Sequence, residues 1–104
     1  MLIEQELAAA QAAQQNGNYG RARVCARRAV ALAIEAWLAR LPYPPRHRDA
    51  MEHLRYIQQD GSLPLPIRQA AERLSTPVTR QLIAPFTTDP IADAQLIIAH
   101  LSNH

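Results

Sequence analysis

Residues 19–41 read YGRARVCARRAVALAIEAWLARL, and this stretch decides the fold. From Ala29 to Ala39 it holds one charged side chain, Glu35, among Ala, Val, Leu, Ile and Trp. Alanine is the strongest helix former, and the run contains neither Gly nor Pro after Gly20. A helix that is apolar nearly all round is covered nearly all round, so this one belongs at the centre of a bundle, or is shared between a bundle and a dimer seam. Its first turns differ: Arg21, Arg23, Arg27 and Arg28 crowd the N-terminal half, against the preference of the helix dipole for anions there. Arg side chains lying over Ala with their heads in water are the plain account, and an anion or RNA surface is the sharper one.

Outward from this stretch the signals alternate between helices and stops. Residues 2–15 place Leu2, Ile3, Leu7, Ala10 and Ala13 near one side of a 3.6-residue period, and Asn16-Gly17-Asn18 ends that helix and caps the next. Pro42, Pro44 and Pro45 break the long helix, and a third is expected to begin near Pro45 or Arg46. Its expected buried stripe is His47, Ala50, Met51, Leu54 and Ile57; Arg46, Asp49, His53 and Tyr56 form the adjoining polar stripe, and Asp60-Gly61 ends it. A fourth helix carries Ile67, Ala70, Ala71 and Leu74 at i, i+3, i+4 and i+7. Thr76-Pro77 predicts a short helix to about Ile83, and Asp89-Pro90 a last one with Ile91, Ala94, Ile98 and Leu101 on one side. No period-two alternation appears. The reading is an all-α, compact four- to five-helix bundle, one domain over residues 1–104.

Composition narrows the function classes. A single Cys (Cys25) excludes an intramolecular disulfide framework, no Cys/His spacing fits zinc, and no Gly cluster can cradle a phosphate. Neither a basic leader nor an apolar run long enough to span a membrane is present, so a cytoplasmic protein is expected, with no membrane partner, metal or cofactor. All 11 basic residues are Arg, each a permanently charged fork suited to phosphate or carboxylate. Residues 21–55 hold eight of them against Glu35, Asp49 and Glu52, so the net charge of +2 hides a basic half and an acidic half. An acidic partner, a nucleotide or RNA is the ligand class this segregation fits.

The order of these features resembles the HEPN domain family. The features are a helix ending in Asn-Gly-Asn-Tyr, a long Ala-rich helix with the lone Glu35 before Trp37, a Pro-rich turn carrying His47, and Arg80 ahead of Pro85 and the Asp89-Pro90 helix. The resemblance spans about residues 5–101. It implies a small bundle that dimerises, often paired with a minimal nucleotidyltransferase in toxin–antitoxin modules, and in some branches a metal-independent ribonuclease. The motif of that branch matches Arg48-Asp49-Ala50-Met51-Glu52-His53. There His53 would move protons, Arg48 would stabilise the phosphorane, and Asp49, one turn away, would orient the imidazole. The candidate catalytic set is therefore Arg48, Asp49 and His53, and the candidate binding set is Arg46, His47, Arg55, Glu35 and Arg80. Glu35, in apolar surroundings, must find a hydrogen-bonded partner, bind a ligand or face water; an internal Arg such as Arg55 or Arg80 is the plain expectation, and a ligand site the rarer one. His100 and His104 are expected exposed, and Cys25 in the core.

Three readings of function follow. The first is a dimerising interaction subunit built on the apolar surface of residues 29–41. The second is a ribonuclease using Arg48, Asp49 and His53. The third is a tetratricopeptide-like adaptor, since residues 8–38 look like one such unit, although the period does not recur.

Overall fold

Local chemistry sets each helix end. In a computed structural model, which describes residues 2–42, 49–76 and 89–103, α1 (Leu2–Gln15) closes where Gly17 takes φ +77°. Asn18 N–H returns to the Ala13 carbonyl at 2.8 Å and Gly17 N–H to that of Gln14 at 3.1 Å, the paired bonds of a Schellman closure. The Asn18 side chain then accepts from Arg21 N–H at 3.1 Å and opens α2 (Tyr19–Leu38). Asp49 caps α3 (Ala50–Gln59) by accepting from Glu52 N–H at 2.9 Å. Asp89 caps α5 (Pro90–Ser102) through Ala92 N–H at 3.0 Å, with Pro90 in the first turn. Between α3 and α4 (Leu65–Ser75), Asp60 accepts from the Ser62 N–H and hydroxyl at 3.0 and 2.6 Å, fixing the turn.

The all-α bundle expected from periodicity is what forms: five helices, with no strand among the described residues. Two boundaries differ from the sequence reading. α2 stops at Leu38, ahead of Leu41: Arg40 N–H and Leu41 N–H turn back to the Trp37 and Leu38 carbonyls, at 3.3 and 3.0 Å, as the chain leaves the helix ahead of Pro42. α3 begins at Ala50, ahead of which Asp49 takes an extended backbone (φ −74°, ψ 171°) and so cannot lie inside a helix starting at Pro45 or Arg46. Thr76 closes α4, its N–H and hydroxyl both on the Glu72 carbonyl at 3.0 and 2.6 Å, while the short helix expected over 77–83 lies outside the described residues.

α2 is the axis of the structure and touches all four other helices. Its Ala22, Ala26, Ala29 and Ala33 present almost no bulk, which lets α1 and α5 approach closely. Val30, Ile34 and Leu38 meet Leu54 and Ile57 of α3, Ile67 and Leu74 of α4, and Ile97 and Leu101 of α5 in one core. Each such side chain, fully buried, contributes about 1.5–3 kcal/mol by leaving water. Cys25 is buried with Ala10 and Ile91 in a smaller cluster, as expected. Stacked repeat pairs would touch only their neighbours, and this central helix does not conform to that pattern. No helix of the described residues is long and apolar enough to cross a membrane.

Polar contacts lock the far end of α4. The Arg27 Nε–H donates to the Leu74 carbonyl at 2.6 Å, placing a cation on the C-terminal carbonyls of α4. Burial pulls the Arg27 guanidinium below its ordinary value, and nearby Arg23 pulls it the same way. Arg73 grips Asp93 of α5 in a fork, at 2.7 Å from Nη2 to Oδ1 and 3.1 Å from Nε to Oδ2; this hydrogen bonding raises the Arg73 guanidinium above its ordinary value. Part of the Arg cluster that opposes the dipole of α2 thus serves the dipole of its neighbour.

Candidate functional site

The side chains singled out by chemistry meet where α2 crosses the start of α3. His53, one turn into α3, turns inward and is 2% exposed. Its Nε2 lies 3.3 Å from Oε1 of Glu35 on α2, whose side chain is 37% exposed. A carboxylate only accepts, so the contact places an imidazole proton on Nε2. That Nδ1 is buried and has no hydrogen-bond partner among the described residues. An orphaned buried polar atom of this kind costs about 1–3 kcal/mol.

Beside Glu35 opens a cavity of about 290 Å³. Ala31, Leu32 and Ala50 give it an apolar floor, and Glu6, Glu35, Asp49 and Arg28 stand around it. Three carboxylates and one guanidinium make the rim acidic on balance. Arg28 is exposed and makes no hydrogen bond or ion pair among the described residues.

Several sequence expectations are changed by this geometry. His53 belongs to the buried stripe of α3 with Leu54 and Ile57, although periodicity put it on the polar stripe; the face α3 turns to α2 and α4 is wide enough to take it in. Asp49 does not orient His53. Its Oδ1 caps its own helix, and the imidazole is instead held by Glu35, 18 residues away in sequence. Arg55, expected to pair with Glu35, is exposed on α3 while His53 holds that carboxylate. The candidate residues Arg46, His47, Arg48 and Arg80 lie outside the described residues, as does His104. His100 is half-buried near the end of α5, and no cluster able to hold a metal ion occurs among the described residues. Of the eight candidates, the structure brings Glu35 and His53 into contact and sets Asp49 on the same cavity. Glu6, Arg28 and Leu32 were not singled out as a site. The signal that could have found the last two is their spacing from Glu35, since Arg28, Leu32 and Glu35 are i, i+4 and i+7 on one helix face.

A second apolar feature lies on another side of α2, near its C-terminal end. Trp37 is half-buried and lines two clefts, one of about 170 Å³ with Ile3, Ala36 and Leu101, the other of about 260 Å³ with Leu63, Pro64 and His100.

No family model, no curated protein and no solved structure matches this chain. The class defined by fold and site is therefore an all-α bundle around one central helix, with a part-buried His–Glu contact beside an acidic-rimmed cavity.

Proposed function

We propose that this chain is a HEPN-like interaction subunit, non-catalytic by itself, that works as a homodimer in the cytosol and pairs with a nucleotidyltransferase-type protein. The observation that carries the reading is the division of α2. Most of its apolar side chains between residues 29 and 38 are used inside the chain. What remains outward is a stripe in which Val24, 41% exposed, and half-buried Leu32 alternate with exposed Arg21 and Arg28. The dimer surface is therefore this mixed stripe, and not the whole apolar run of residues 29–41. The partner class comes from the HEPN resemblance.

The geometry favours this reading over the ribonuclease. A general acid–base must reach the ribose hydroxyl, and His53 is enclosed and committed to Glu35. Sedimentation equilibrium at micromolar concentrations is expected to give a dimer mass; a strict monomer up to high micromolar concentration would overturn the reading. RNA cleavage in chelator that is lost in His53→Ala would overturn its non-catalytic part.

A further inference from the structure

The outward stripe of α2 runs through Arg21, Val24, Arg28, Leu32, Glu35 and Ala39, a spacing that averages 3.6 residues and so follows one side of a straight helix. Its charges are ordered. Two guanidiniums occupy the N-terminal part and one carboxylate the C-terminal part, with Leu32 between. Arg28 and Glu35 are separated by about 10 Å along the axis. Such a stripe cannot pair with itself in parallel, because Arg28 would meet Arg28. Antiparallel, it is complementary to itself.

We propose that a second copy of the chain docks on this stripe, α2 against α2 antiparallel about a two-fold axis passing beside Ala31 and Leu32, so that Arg28 of each copy reaches Glu35 of the other. The inference rests on the homodimer proposed above and assigns its surface and register. In this register Val24 faces Ala39 of the partner subunit, and Leu32 packs beside its symmetry mate. The cavity floored by Ala31, Leu32 and Ala50 receives the partner's Leu32, which gives that apolar recess an apolar occupant. Glu35 can take the added bond alongside the contacts it already makes, His53 among them, because a carboxylate accepts at up to about four sites and its side chain is still over one third exposed. The interface is isologous, so each contact occurs twice and each substitution acts twice. An RNA strand does not fit the same face, since Glu6, Glu35 and Asp49 around the recess repel phosphate.

The experiment is charge complementation on the full chain, read by sedimentation equilibrium. Arg28→Glu alone and Glu35→Arg alone are each expected to raise the dimer dissociation constant at least tenfold, through two like-charge pairs per dimer. An equimolar mixture of the two variants is expected to recover a dimer within threefold of wild type. Because Glu35→Arg also removes the partner of His53, an independent variant reads the register without it. Leu32→Cys, close to the axis, is expected to form an intermolecular disulfide under mild oxidation, whereas Gln11→Cys on the exposed side of α1 and the wild type, whose Cys25 is buried, are not. A wild-type dimer that tolerates Arg28→Glu and does not cross-link through Leu32→Cys overturns this register and leaves the homodimer standing. A monomeric wild type overturns both.

Discussion

The two faces of α2 are made from the same 20 residues and are opposite in chemistry. The inward face is small and closed: Ala22, Ala26, Ala29, Val30 and Ile34 are fully enclosed by four neighbouring helices. The outward face has Arg21 and Arg28 in water, with Val24 and Leu32 left uncovered between longer polar side chains. The difference corrects a natural inference from composition. An alanine-rich helix suggests spare apolar surface for a dimer seam, yet the alanines are consumed in bringing α1 and α5 close to the axis. What is left facing outward is charge order, with a few aliphatics.

The division can be broken first on the inward side. Ile34→Ala removes a fully buried branch from the central core and is expected to cost about 2–5 kcal/mol of unfolding free energy in urea titration. A loss below about 1 kcal/mol would mean that the core is not centred on α2. Next comes the clasp between α4 and α5. Asp93→Asn weakens the fork from Arg73, and is expected to cost about 1–2 kcal/mol, discounted because the guanidinium is partly exposed and screened. The loss should shrink in high salt only slightly, since the carboxylate side is largely enclosed. Asp49→Ala then tests the start of α3: loss of a single N-cap bond is expected to cost about 1 kcal/mol. A collapse of the Glu35–His53 contact in that variant, seen as a changed His53 imidazole resonance, would show that Asp49 holds the imidazole after all.

How much of this was legible in the sequence depended on whether the deciding partner was near in the chain. The face of α4 and the start of α5 were readable, because the apolar period fixes the rotation of one and Asp89-Pro90 fixes where the other begins; Ile67, Ala70, Ala71 and Leu74 are buried as expected, whereas in α5 Ile97 is buried and Ile98, expected in the stripe, only partly so. The end of α1 was readable for the same reason, since Gly17 closes it locally. His53 was not. Periodicity gives the direction of a buried stripe but not its width, and the width here is set by how α3 lies across α2 and α4. Its partner Glu35 is likewise fixed by that crossing, and the nearer cation, Arg55, falls on the wrong side of the helix. The role of Arg27 on the Leu74 carbonyl was hidden similarly, 47 residues away in sequence.

His53→Leu sharpens the comparison at the boundary between the two faces. It removes the orphaned Nδ1 together with the bond to Glu35, and the half-exposed carboxylate can return to water, so stability is expected to change by no more than about 1 kcal/mol in either direction. A loss of 3 kcal/mol or more would show that the imidazole is a fully satisfied structural strut.

The smallest effect on the single chain is expected outside. Arg28→Glu touches no partner within its own chain among the described residues, so the isolated monomer should lose less than about 0.5 kcal/mol. The same substitution acts on a dimer through linkage. Association stabilises only the folded form, so the wild-type melting temperature should climb as protein concentration rises a hundredfold, and that of Arg28→Glu should stay flat. At the lowest concentration the two curves should coincide. If Arg28→Glu instead melts several degrees lower at every concentration, the outward stripe is holding the monomer together. The two faces of α2 would then not be divided between folding and recognition.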